Sequence, residues 1–201
     1  RDRVEKVLDK NKVVFMNHWV MGIFELASWL RGPEEFYRDL IKAPKLASHL
    51  LDKVLELKKV FWSEALPLIG DKIDIIKQND DLGGQDNLLI SPDMYREYIK
   101  PRHEELFSFI KEGTDAFLFL HSCGAISKLI PDFIEVGVDI LNPIQISAKG
   151  MAPRKLKRRF GDDIAFWGGG VDSQQTLPRG SKEEIKEEVR KNIKELSPGG
   201  G

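Results

Sequence analysis

Short apolar runs separated by polar or glycine residues recur along the chain: VVFM (13–16), IDII (73–76), AFLFL (116–120), VDIL (138–141) and IAFWGGG (164–170). Each is too short for a core helix and shows little strict alternation. Each therefore reads as a strand covered on both faces, as in a parallel sheet. The segments between them carry helical patterns. SPDMYREYIKPRHEELFSFIKEG (91–113) opens on a Ser-Pro-Asp cap and stops at Gly113, and AISKLIPDFIEVG (125–137) stops at Gly137. In SKEEIKEEVRKNIKELSPGG (181–200), Ser181 with Glu184 three residues on predicts a capping box. The long interval after the first strand holds three further helical pieces, at 24–32, 33–43 and 44–70.

Strand alternating with helix predicts an α/β fold with right-handed crossovers. The last three strands start about 22 to 26 residues apart, which favours a (β/α)8 barrel modestly over an open sheet. No internal repeat or linker divides the 201 residues, so they read as one domain, 1–201, with a true core. The charged helical pattern RDRVEKVLDK at the start and the glycine run at the end suggest a fragment of a longer protein.

Charge and cysteine content narrow the function classes. Lys and Arg number 31 against 32 Asp and Glu, so the chain lacks the basic footprint of a nucleic-acid binder. One cysteine makes no internal disulfide, which fits a reducing, cytoplasmic setting. The most membrane-like stretch, 13–30, is interrupted by Asn17, His18 and Glu25, and reads as a buried strand followed by a helix.

Candidate chemistry collects after the strands. Asn17 and His18 follow the first, Asp80, Asp81, Gly83, Gly84 and Gln85 the second, and His121, Ser122, Cys123 and Gly124 the third. Asn142, Pro143 and Gln145 follow the fourth, and Gly168 to Gly170 with Asp172, Ser173 and Gln174 the fifth. In a parallel barrel all strand C-termini open on one face, where barrel enzymes keep their chemistry. Any one of these residues also suits a cap or turn. Five strand ends loaded alike favour a site.

His121 and Cys123, two apart at a strand end, point to the same face. Zinc accepts both ligand types, and a catalytic site needs three protein ligands and an open position. The same spacing also fits a nucleophilic Cys-His pair or an inert buried cysteine beside a structural histidine. Of the adjacent Asp80 and Asp81, only one is expected to face the mouth, with the other capping the next turn. Asp81, followed by two glycines, is the inward candidate, able to orient a substrate or bind a cation. Asp172 carries the same choice between catalysis and capping. Gly168 to Gly170 lack the surroundings of a phosphate loop and are expected to clear space for a bulky ligand.

Three stretches, 79–102, 120–151 and 160–189, together resemble the uroporphyrinogen decarboxylase-like superfamily, and within it the corrinoid-linked methyltransferases. The resemblance implies a (β/α)8 barrel of which this chain carries strands three to seven, and a site at the strand ends. Asp81 and Asp172 are then its catalytic candidates, and Asn17, His18, Asn142, Gln145 and Gly169 its cofactor-binding ones. It implies that His121 and Cys123 hold zinc, which activates the thiol of a methyl acceptor toward a methyl-corrinoid. In those methyltransferases a further cysteine is expected where this chain has Gly200, with Gln145 or Asp172 as conceivable substitutes. The resemblance also admits metal-free decarboxylation of a tetrapyrrole, or a non-catalytic barrel that binds a corrinoid or tetrapyrrole. The expected partners are a small thiol or tetrapyrrole and a corrinoid protein, with neither nucleic acid nor membrane; oligomerisation is left open.

Overall fold

The computed structural model describes residues 12–17 and 21–200. The helical pattern at 1–10 and the candidate His18 lie outside the described residues. Five strands follow one another in the sheet in chain order: β1 (Phe15–Asn17), β2 (Ile75–Asn79), β3 (Phe117–His121), β4 (Ile140–Asn142) and β5 (Ala165–Phe166). They run parallel, alternate with helices, and have the order of consecutive strands in a (β/α)8 barrel. No helix among the described residues is long and apolar enough to cross a membrane.

The first four strands run one to three residues past the apolar runs that predict them, to Asn17, Asn79, His121 and Asn142. Ladder membership is decided by backbone groups: Asn17 pairs with Lys77 in register, and the Ser122 N–H donates to the Asn142 carbonyl. β5 is shorter than its run, because Gly168 turns the chain and the Gly169 N–H donates to the Pro143 carbonyl. The expectation that 13–16 is covered on both faces is wrong. Val13 is 66% and Phe15 39% exposed, and among the described residues β1, first in the order, has a ladder only with β2.

The chain forms two compact units, one built from residues up to Asp80 with Asp93–Phe119, the other from Asp81–Pro92 with Leu120 onward. In the first, α1 (Ile23–Arg31), α2 (Pro33–Lys42) and α3 (Pro44–Ile69) pack on one another. Phe24 meets Phe36 edge to face at 5.8 Å. The 26-residue α3 buries Ala47, Leu51, Val54, Leu55, Lys58, Trp62 and Leu66, the three-and-four spacing of one helical face. The pattern at 91–113 becomes α4 (Pro92–Met94), a π turn (Tyr95–Ile99) and α5 (Lys100–Glu112). Pro101 has no N–H to give to the turn before it, and the wider π turn absorbs that gap.

Lys58 breaks the apolar stripe of α3. Its ammonium is buried and has no hydrogen-bond partner among the described residues. Burial pushes its pKa down from 10.5 to about 8, against a weaker upward pull from Asp80 and Glu25. The unfolded chain keeps this proton up to pH 10.5 while the folded chain releases it from about 8. Stability therefore rises with pH between those values, and the cost, on the order of 3 kcal/mol, is fully present below pH 8. Lys58→Met is expected to stabilise the protein at pH 7 by roughly 2–3 kcal/mol. It should also flatten the alkaline rise in urea midpoints; an unchanged rise would assign that slope to another group.

Asp80 lies in the same unit and is fully buried. Its carboxylate accepts from the Phe24 and Glu25 N–H groups at 3.0 and 2.9 Å, so it caps α1. The expectation of a cap on the next turn is corrected: the capped helix lies more than fifty residues earlier. A Cβ on Gly22 would stand 2.1 Å from the Asp80 carboxyl carbon, and so the turn into α1 requires glycine. His103 Nε2 stands 2.9 Å from Asp80 Oδ2, and Tyr95 Oη 3.1 Å from His103 Nδ1.

In the second unit, α6 (Ile130–Glu135) buries Ile130 and Phe133, α7 (Pro153–Phe160) Leu156 and α9 (Lys182–Leu196) Leu196, while the short α8 (Thr176–Arg179) buries none. The helix expected over 125–137 spans only Ile130–Glu135. The chain turns through 127–129 first, and Pro131 suits the first helical turn. The capping box at Ser181 and Glu184 is present.

Candidate metal centre

β3 places the centre. Leu118, Phe119 and Leu120 are buried, His121 closes the strand, and the buried Ser122 hydroxyl accepts from the Leu82 N–H at 3.3 Å. Cys123 follows, its Sγ 3.5 Å from His121 Nε2. Asp81 enters from the segment after β2. Its Oδ1 accepts from the Cys123 N–H at 2.8 Å and stands 3.9 Å from His121 Nε2.

Two glycines allow this approach. A Cβ on Gly124, at φ +86°, would lie 2.3 Å from the Gly83 carbonyl, and one on Gly83 would lie 2.7 Å from the Cys123 carbonyl oxygen. The Ala125 N–H donates to the Gly84 carbonyl at 2.8 Å, so the two segments run backbone to backbone. That contact carries Asp81 to His121 and Cys123.

One donor atom from each of Asp81, His121 and Cys123 lies within 4.8 Å of the others, the one such group among the described residues. Tetrahedral zinc with bonds of about 2.0–2.3 Å needs donors roughly 3.3–3.8 Å apart, close to the 3.5 and 3.9 Å that separate His121 Nε2 from Cys123 Sγ and Asp81 Oδ1. Imidazole nitrogen, thiolate sulfur and carboxylate oxygen are all zinc ligands. The His121 and Asp81 side chains are 28% and 37% exposed, which leaves a fourth position on the open side. The residues present therefore fit a zinc ion.

Around these three lies a hydrogen-bonded polar array. Asn142 Oδ1 stands 2.6 Å from His121 Nδ1, and Gln145 Oε1 accepts from the Gly124 N–H at 3.0 Å. Gln85 Oε1 accepts from both Gln145 and Gln174, while the Gln85 amide donates to the Ser147 carbonyl. Gln85 and Gln174 were visible as strand-end amides, but their mutual bonds have no sequence signature.

The remaining candidates are not among the three donors. Asp172 Oδ1 accepts from the Gln174 and Gln175 N–H groups and so caps the turn into α8. Gln145 belongs to the hydrogen-bonded array just described, and the third donor beside His121 and Cys123 is the Asp81 carboxylate rather than Gln145 or Asp172. Gly169 packs against Leu196 and Ile144, and a Cβ on Gly168 would collide with the Pro143 carbonyl oxygen at 1.9 Å. Close packing therefore explains these two glycines, and the expected clearance for a ligand is confined to Gly170. Asn17, exposed at the end of β1, belongs to the other unit. Gly200 sits in a turn at φ +87° after α9, its carbonyl accepting from Lys157.

Comparison with known proteins agrees with this architecture. Curated proteins give no match. A solved structure described as a methyltransferase from Methanosarcina mazei superposes with a TM-score of 0.72 at 23% identity, a likeness that shows the fold. The match covers 94% of this chain and 52% of that one, so the chain spans about half the length of its structural relative. The family model described as uroporphyrinogen decarboxylase (URO-D) matches residues 3–201, and the chain therefore belongs to the URO-D family.

Proposed function

We propose that this chain carries the metal centre of a corrinoid-linked methyltransferase, with His121, Cys123 and Asp81 holding zinc. The observation that supports this reading is the convergence of nitrogen, sulfur and oxygen donors at the strand ends of a URO-D family chain. The similar solved structure, a methyltransferase, belongs to the same reaction class. A bound zinc ion would supply the methyl acceptor, a small thiol, as its thiolate at neutral pH.

The chain's own residues prepare that position. Cys123 would hold the metal as its thiolate, and His121 through a neutral ring nitrogen. Asp81 adds a second negative charge while its bond to the Cys123 N–H holds the two segments together. The thiolate held there would be the nucleophile for a methyl group carried on a corrinoid.

Metal analysis of the full-length protein, alongside methyl transfer from methylcobalamin to a small thiol, tests the proposal. About one zinc per chain is expected in the wild type, with zinc and activity lost together in His121→Ala and Cys123→Ser. Equal zinc in all three forms would end the reading. The family description also supports a second one, metal-free decarboxylation of a tetrapyrrole. Turnover of uroporphyrinogen by zinc-free protein would favour it.

A further inference from the structure

We infer that Asn142 is a positioning residue that fixes which nitrogen of His121 faces the metal; the inference rests on the metal-centre reading above. Asn142 closes β4, and its Nδ2 donates to the Trp167 carbonyl at 2.8 Å. That bond sets the amide's orientation, since a flipped amide would press Oδ1 against another acceptor at the same distance. Oδ1 therefore faces His121 Nδ1, 2.6 Å away. An oxygen that only accepts requires the proton to sit on Nδ1. The lone pair is then left on Nε2, the atom that stands 3.5 Å from Cys123 Sγ and 3.9 Å from Asp81 Oδ1.

The opposite tautomer would set two lone pairs against each other at 2.6 Å and turn an N–H into the donor group. The carbonyl that orients Asn142 is itself held by the sheet, because the Trp167 N–H donates to the Leu141 carbonyl at 2.9 Å. The ring is thus ready to bind before any ion arrives. Outer partners of this kind contribute about 10–100-fold to metal affinity.

Two measurements on the full chain test this. In the metal-free wild type, long-range proton–nitrogen NMR should find the His121 proton on Nδ1; a proton on Nε2 overturns the inference. Zinc affinity by chelator competition should fall about 10–100-fold in Asn142→Leu, which has no acceptor, and stay within about threefold of wild type or tighten in Asn142→Asp, which keeps one. Equal loss in both variants, or no loss in Asn142→Leu, also overturns it. Absence of zinc from the wild type would instead defeat the metal-centre reading, and the NMR result would still decide the tautomer.

Discussion

Asp80→Ala is expected to destabilise the protein by about 3–5 kcal/mol, the range for removing one partner of a buried charged network. The substitution strands three donors: the Phe24 and Glu25 N–H groups at the start of α1, and His103 Nε2. Each buried donor left without an acceptor costs about 1–3 kcal/mol, less where water reaches the helix end. The Tyr95 hydroxyl, bonded to the other nitrogen of His103, keeps that ring from turning to another acceptor. Asp80→Asn should cost less, because one oxygen remains to accept. Urea unfolding of both variants checks the order, and an Asp80→Ala midpoint near that of wild type would show that the network contributes little.

Asp81→Ala is expected to weaken zinc binding by two to three decades with a much smaller effect on stability. Structural zinc sites with four ligands bind with about 10–16 kcal/mol, so one ligand accounts for roughly 3–4 kcal/mol. Asp81 is half-exposed, and its loss leaves the Cys123 N–H within reach of water. Asp81→Cys restores a three-ligand set, with the thiolate in place of the carboxylate, and should recover most of the affinity. Competition with a calibrated chelator distinguishes the variants. Wild-type affinity in Asp81→Ala would remove the carboxylate from the donor set.

The adjacent aspartates show how far residue order carries. Their neighbours along the chain indicate that the two side chains diverge, with one serving as a cap. The identity of the capped helix is set by where α1 ends up, and nothing near residue 80 encodes it. His103 and Tyr95 escape sequence reading for the same reason: their partner lies across the packed unit, and a helix containing one histidine has no periodic signal. Lys58 is legible only as an interruption of an apolar stripe. Whether its ammonium escapes to solvent depends on what surrounds α3.

The order of strands and helices was determined by the sequence, because apolar runs and caps act over a few residues and are written where they act. So was the pairing of His121 with Cys123, since two residues of near-extended chain bring side chains to one face. The third donor was decided by tertiary structure alone. Asp81 reaches Cys123 through a backbone contact between segments about forty residues apart, open only because Gly83 and Gly124 lack side chains. The tautomer of His121 was decided there too, by an amide on the next strand whose own orientation depends on a carbonyl beyond β5. Local pattern specifies which groups a segment presents, and only the folded chain specifies what they meet.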